Sequence, residues 1–256
     1  MHSYGLKPNA PDIRREKFAY WRIAKPVDVP PETHNWDKLG FEPFNQGHFN
    51  TCAANSASMH IRYLLRKGNY SEQLIPSRPF IYNTAQLKHP GRPLQDEGTT
   101  FDDISWALRT YGFCPEEEFD YERDHIAVVP PNDCFVDAEE HQLLSSHKVN
   151  SDLDEIKNCM AEGYIISAGI PVYESFESEK VAETGVVPIP EQGEKLLGYH
   201  GILYVDYSDH KRQGVGINSW GEWGFEEKGI FYVPYELLVR GFFNDAVTYR
   251  AFENPK

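Results

Sequence analysis

The sequence predicts an α+β protein with two lobes, helical in the first and β-rich in the second, and a cleft between them. Three observations carry this expectation. Apolar residues recur at helical spacing up to about residue 130, and β-branched and aromatic runs dominate after about Pro131. A long loop, Glu183 to Gly198, separates two of those runs and holds Pro188, Pro190 and three glycines. Long ordered loops commonly serve a site.

The elements follow in chain order. Five prolines, Pro8, Pro11, Pro26, Pro30 and Pro31, keep the first 31 residues irregular, so they read as a strap over the body. Thr51 to Lys67 reads as a helix, with Ala54, Met59, Ile61, Leu64 and Leu65 on one face and Gly68 as its stop. A second helix spans Pro76 to Leu87, opened by Pro-Ser. A third spans Thr100 to Tyr111, capped by threonine and ended by Gly112. The acidic, aromatic stretch Glu116 to Asp124 reads as a solvated loop, and Ser151 to Glu162 as a further helix. Strands are expected at Tyr164 to Val172, Gly201 to Tyr207, Gly214 to Asn218 and Gly229 to Tyr235. The division is therefore a strap over residues 1–29 and a body over 30–256, helical to about 130 and β beyond it.

Composition narrows the function classes. The chain has 256 residues, 25 Lys+Arg and 39 Asp+Glu, for a net charge of −14. Nucleic-acid binding needs clustered basic residues, so that class is set aside. No apolar run approaches the roughly 20 residues of a membrane span, and the first 25 residues show no secretory signal. Cytoplasm is the default location, with export by another route left open, and a monomer the expected state. Reduced thiols are expected for Cys52, Cys114, Cys134 and Cys159, which form no CxxC pair. No cofactor or metal is expected; His141 and His147 near Glu139 and Glu140 make no HExxH arrangement.

One cysteine stands apart. Cys52 sits where the turn Asn45-Gln46-Gly47-His48-Phe49-Asn50 enters a helix. Unpaired amides and the helix dipole at that position stabilise a thiolate. Gln46 lies six residues earlier, where its amide and the Cys52 N–H can form an oxyanion hole. A thiol nucleophile needs a base, and the base needs an orienting acceptor. His200 stands in Gly198-Tyr199-His200-Gly201 and Asn218 in Asn218-Ser219-Trp220-Gly221, in the order Cys, His, Asn.

With these motifs the chain resembles the papain-like cysteine proteases (C1 peptidases) over roughly Pro31 to Leu238. The resemblance implies a papain-like fold: a helical left lobe, an antiparallel β-barrel-like right lobe and an active site between them. It implies Cys52 as nucleophile, His200 as base, Asn218 as its orienter and Gln46 in the oxyanion hole. Gly98 would pair with substrate backbone, and Trp220 would shield the His–Asn contact. A thiolate–imidazolium pair would attack peptide or protein substrates and form a thioester.

Closer still is the bacterial xylellain-type branch without a long prodomain. Pro76-Ser77-Arg78, Gly112-Phe113-Cys114-Pro115-Glu116-Glu117 and Thr184-Gly185-Val186-Val187-Pro188 are similar to it. In that branch a short N-terminal segment covers the cleft, so residues 1–29 are expected to be self-inhibitory, with Tyr20 or Trp21 in or across the cleft. Three departures reshape the mouth of the site. Ala53 replaces the usual Trp after the nucleophile, Asn50-Thr51 replaces Gly-Ser, and Phe49 replaces a disulfide cysteine. The alternatives are a non-catalytic papain-fold binding module and a Cys-His acyltransferase or deamidase.

Overall fold

In the computed structural model, residues 2–8, 19–22, 27–38, 41–70, 73–226 and 228–252 are described. The expected breakers Pro11 and Pro26 lie outside them. The long helix α1 (Cys52–Lys67) runs through the centre of the molecule. Thirteen of its residues are buried, the polar Asn55, Ser56, Ser58 and His60 among them, so it is enclosed nearly all round rather than on one face. Arg62 leaves the core at the outer side, over the rings of Phe41 and Phe44. Helices α2 (Arg78–Gln86) and α3 (Phe101–Thr110) pack beside it, and both are capped as their sequences predict. Ser77 Oγ accepts from the Phe80 N–H, and Thr100 Oγ1 accepts from the Asp103 N–H. A short helix, α4 (Asn132–Ala138), closes this side.

The β side is one six-stranded antiparallel sheet of β1 (Leu143–Lys148), β2 (Ile166–Tyr173), β3 (Leu196–Ser208), β4 (Gln213–Ile217), β5 (Ile230–Pro234) and β6 (Asn244–Phe252). Its order is β1-β6-β2-β3-β4-β5. Helix α5 (Leu153–Ala161), capped by Asp152, and the short helices α6 (Glu179–Thr184) and α7 (Tyr235–Val239) decorate it. One apolar cluster joins α1 to the sheet through Leu203, Val205, Ile217, Val247 and Tyr249. A second lies on the other face of the sheet, around Ile166, Ile170, Tyr204, Phe231 and Leu238.

All four expected strands are present. The strand expected at Gly201 starts at Leu196, inside what reads as a loop. Strands β1 and β6 and helices α4, α6 and α7 have no counterpart in the sequence reading.

The fit of α1 to the sheet fixes the site. At Gly201 on β3, an added Cβ would sit 2.9 Å from the Ala53 Cα. Only glycine lets the first turn of α1 approach that strand so closely. The contact brings Cys52 beside the strand that carries His200.

Candidate active site

Cys52 is the first residue of α1, with no exposure to solvent. Its sulfur accepts from the Gly201 N–H at 3.3 Å, and the Gly5 N–H also faces it. His200, next to Gly201 on β3, is equally buried. Its Nε2 lies 2.7 Å from Asn218 Oδ1, which also accepts from the Ser219 N–H at 2.7 Å. Two donors on one oxygen make Asn218 an acceptor toward the ring, so Nε2 carries the proton and Nδ1 presents a lone pair. That Nδ1 is buried and meets no hydrogen-bond partner among the described residues. The Trp220 ring lies 4.8 Å from His200, centroid to centroid, and is itself packed edge-on against Phe176 and Trp223.

Gln46 is locked from three sides. Its N–H donates to the Ser219 carbonyl at 2.8 Å, its Oε1 accepts from Ser219 Oγ at 2.8 Å, and its Nε2 donates to the Phe49 carbonyl at 2.9 Å. The same Nε2 reaches the Ser3 carbonyl at 3.3 Å. The Gln46 carbonyl in turn accepts from Tyr121 Oη at 3.0 Å. The Tyr121 ring lies under the Arg78 guanidinium, 3.7 Å away, and Arg78 pairs with Glu116 at 2.6 Å. The stretch expected to be a solvated loop is thus partly a brace for the site.

Residues 2–8 fill the cleft. The His2 ring stacks on Trp220 at 3.9 Å, and Tyr4 stands edge-on to His200 with its hydroxyl donating to Glu177. The main chain does the rest. The Thr99 N–H donates to the Gly5 carbonyl at 2.9 Å, Lys7 N–H to Thr99 O at 3.0 Å, and Leu6 N–H to Tyr199 O at 3.3 Å. Gly98 has φ +84°, and a Cβ on it would overlap the Gly5 carbonyl. A Cβ on Gly5 would in turn overlap the Asn50 carbonyl. Glycine at both positions is a condition of this close seating.

One expectation is corrected. Tyr20 and Trp21 do not lie in the cleft. Tyr20 is buried against the second apolar cluster, its hydroxyl donating to Glu162 at 2.6 Å and its ring under Arg250. His2, Tyr4, Gly5 and Leu6 occupy the cleft instead. Burial pushes the Cys52 thiol up to about 11, against the pull of the surrounding N–H groups. It pushes the His200 imidazole down to about 4, despite its Asn218 bond. While the tip is in place, burial thus disfavours the charged form of each group. The reading of the sequence gave no role to Tyr4, to Glu177 or to Gly198, where an added Cβ would sit 2.8 Å from the Tyr4 Cβ. The signal for Tyr4 was an isolated Tyr-Gly-Leu in a polar start.

No family model matches the chain. Among curated proteins, it is 26% identical over 204 residues to an uncharacterized peptidase C1-like protein of Acanthamoeba polyphaga mimivirus. That match takes in 76% of this chain and only 65% of the viral protein. Among solved structures, xylellain, a cysteine protease from Xylella fastidiosa, superposes with a TM-score of 0.85 at 28% identity, covering 97% of this chain and 96% of that one. A digestive procathepsin L 3 of the Tenebrio molitor larval midgut shares the fold, at 14% identity and a TM-score of 0.70, over 89% of this chain and 72% of the other. A procathepsin B from Trypanosoma congolense does so too, at 11% and 0.69, over 97% and 83%. The chain has the fold of the papain-like cysteine proteases, and over nearly its whole length it is built like xylellain.

Proposed function

We propose that this chain hydrolyses peptide bonds through Cys52, and that residues 2–8 hold the cleft shut until they are displaced. The observation that carries both parts is that the cleft already holds a peptide backbone. The Ser3 carbonyl meets the Gln46 amide, and the Gly5 carbonyl and Lys7 N–H pair with Thr99.

In the open cleft, water returns and the penalty on charge falls, so the Cys52 proton moves to His200 Nδ1. The thiolate attacks a peptide carbonyl, whose oxygen takes its bonds from Gln46 Nε2 and the Cys52 N–H. His200 passes the proton to the leaving amine, and a water molecule then hydrolyses the thioester. Asn218 keeps the proton on Nε2, leaving Nδ1 free for these transfers. Trp220 shields the His200–Asn218 bond from water, and Gly98 keeps the edge beside Thr99 open to substrate backbone.

The test is turnover of a fluorogenic peptide by three proteins: the full chain, a chain lacking residues 1–8, and the shortened chain with Cys52→Ala. Turnover should be low in the first, high in the second and absent in the third. Equal turnover in the second and third would refute a Cys52 mechanism.

A further inference from the structure

Outside the cleft, two thiols meet among the described residues. Cys114 follows α3 and Gly112, and Cys134 sits in α4, twenty positions on. Their sulfurs lie within 4.8 Å of each other, close enough for the two thiols to hydrogen-bond. Phe80, Phe119 and Ala138 wall them in, and both cysteines are buried. The other two cysteines belong to different apolar clusters, Cys52 to the one around α1 and Cys159 to the one on the far face of the sheet. The fold therefore leaves each of these two sulfurs one other thiol within reach.

We propose that Cys114 and Cys134 are a dithiol–disulfide couple, oxidised by exchange with a small-molecule disulfide such as glutathione disulfide. One protein sulfur, as thiolate, attacks the external disulfide and releases one glutathione. The second protein sulfur then attacks the mixed disulfide and releases the other. The S–S bond of glutathione breaks and one forms between Cys114 and Cys134. The two protein thiol protons end on two glutathione thiols, and the protein loses the two electrons they gain.

A disulfide suits this place because it carries no charge. Burial pushes both thiols above their ordinary range, which disfavours a free thiolate. Glu118, the third group that reaches the sulfurs, is exposed. Its carboxyl is pushed up to about 7, first by desolvation and then by its bond to Asp137.

The crosslink has a consequence for the cleft. It would close the chain between residues 114 and 134, which contains Glu116 and Tyr121. Those two residues brace Arg78, Gln46 and Thr51 beside Cys52. Closing a loop of this size stabilises a fold mainly by restricting the unfolded chain.

The test uses the full chain carrying Cys52→Ala, which removes the cleft thiol and leaves three. The protein is brought to equilibrium in mixtures of oxidised and reduced glutathione, denatured in acid, alkylated and weighed. The expected result is loss of two alkylatable thiols, a single Cys114–Cys134 linked peptide, and a rise in Tm on the order of 5–10 °C that dithiothreitol reverses. Cys114→Ser and Cys134→Ser should each abolish that rise. Three alkylatable thiols at every ratio, stable glutathione adducts, or a bridge to Cys159 would overturn the proposal. So would zinc protecting the pair from alkylation with no crosslink ever forming, since that would make it a metal site.

Discussion

The N-terminal segment is held in two different ways along its length. Residues 2–8 lie in the cleft mainly by main-chain bonds to Thr99 and Tyr199, a mode open to almost any peptide. Residues 19–22 are held by a side chain, Tyr20, which is fully buried and bonded to Glu162 beside Arg250. Residues 30–36 add main-chain bonds to the end of β3, among them the Asp206 carboxylate accepting from the Asn35 and Trp36 N–H groups. The first piece can be exchanged for substrate, because what it offers a substrate also offers. The second cannot leave without opening an apolar core. Under the proposed function, a strap built this way releases its tip and keeps its root.

Substitutions that sharpen this contrast differ widely in size. Cys52→Ala should abolish peptide turnover in a chain lacking residues 1–8, measured with the fluorogenic peptide, because no other group supplies the nucleophile. Gln46→Ala in that same shortened chain should lower turnover by on the order of 10²–10³.

At the root, Tyr20→Ala should destabilise the fold by about 3–5 kcal/mol, read from denaturant unfolding, since it empties a buried aromatic site. At the tip, Gly5→Ala should leave unfolding unchanged and raise turnover of the full chain toward that of the shortened one, because the new Cβ overlaps the Asn50 carbonyl. A large stability loss from Gly5→Ala, or none from Tyr20→Ala, would break the contrast between tip and root.

Acidification should give the smallest effect. Opening moves the Cys52 proton to His200 and leaves the number of protons on that pair unchanged, so the pair does not itself link opening to pH. His2 does: burial against Trp220 holds its imidazole below the ordinary value of roughly 6.5 in the closed cleft. The open form therefore binds the His2 proton more readily, and lowering the pH through that value favours opening. Above it, this contribution to closure is fully present. Turnover of the full chain divided by that of the shortened chain cancels the intrinsic pH profile. That ratio should rise as the pH falls from about 7 to about 5.

The parts of the fold that the sequence made legible are those specified locally. Ser77, Thr100 and Asp152 cap their helices with side chains written into the sequence, and β4 and β5 show their β-branched and aromatic content. Leu143–Lys148 was not legible because its place depends on β6, about a hundred residues away, and its own alternation is weak. The start of β3 was hidden by Gly198 and Gly201. Those glycines look like loop residues, and they are there because Tyr4 and α1 press against the strand. Turn-and-element context singled out Cys52, His200, Asn218 and Gln46, and the fold brings these to one cleft. It could not show how deeply the N-terminal tip buries them. Tyr20 misled for a related reason: an aromatic residue in a strap suits a cleft, and only the buried Glu162–Arg250 pair shows where it is held.

The central claim is that Cys52 becomes a reactive nucleophile when residues 2–8 leave the cleft. Its most direct test is the rate at which an epoxysuccinyl thiol probe labels Cys52, located by mass spectrometry, in the full chain and in the chain lacking residues 1–8. The account predicts slow labelling of the full chain and fast, stoichiometric labelling confined to Cys52 after the tip is removed. Equal rates in the two proteins, or label spread over Cys114, Cys134 and Cys159 without preference for Cys52, would contradict it.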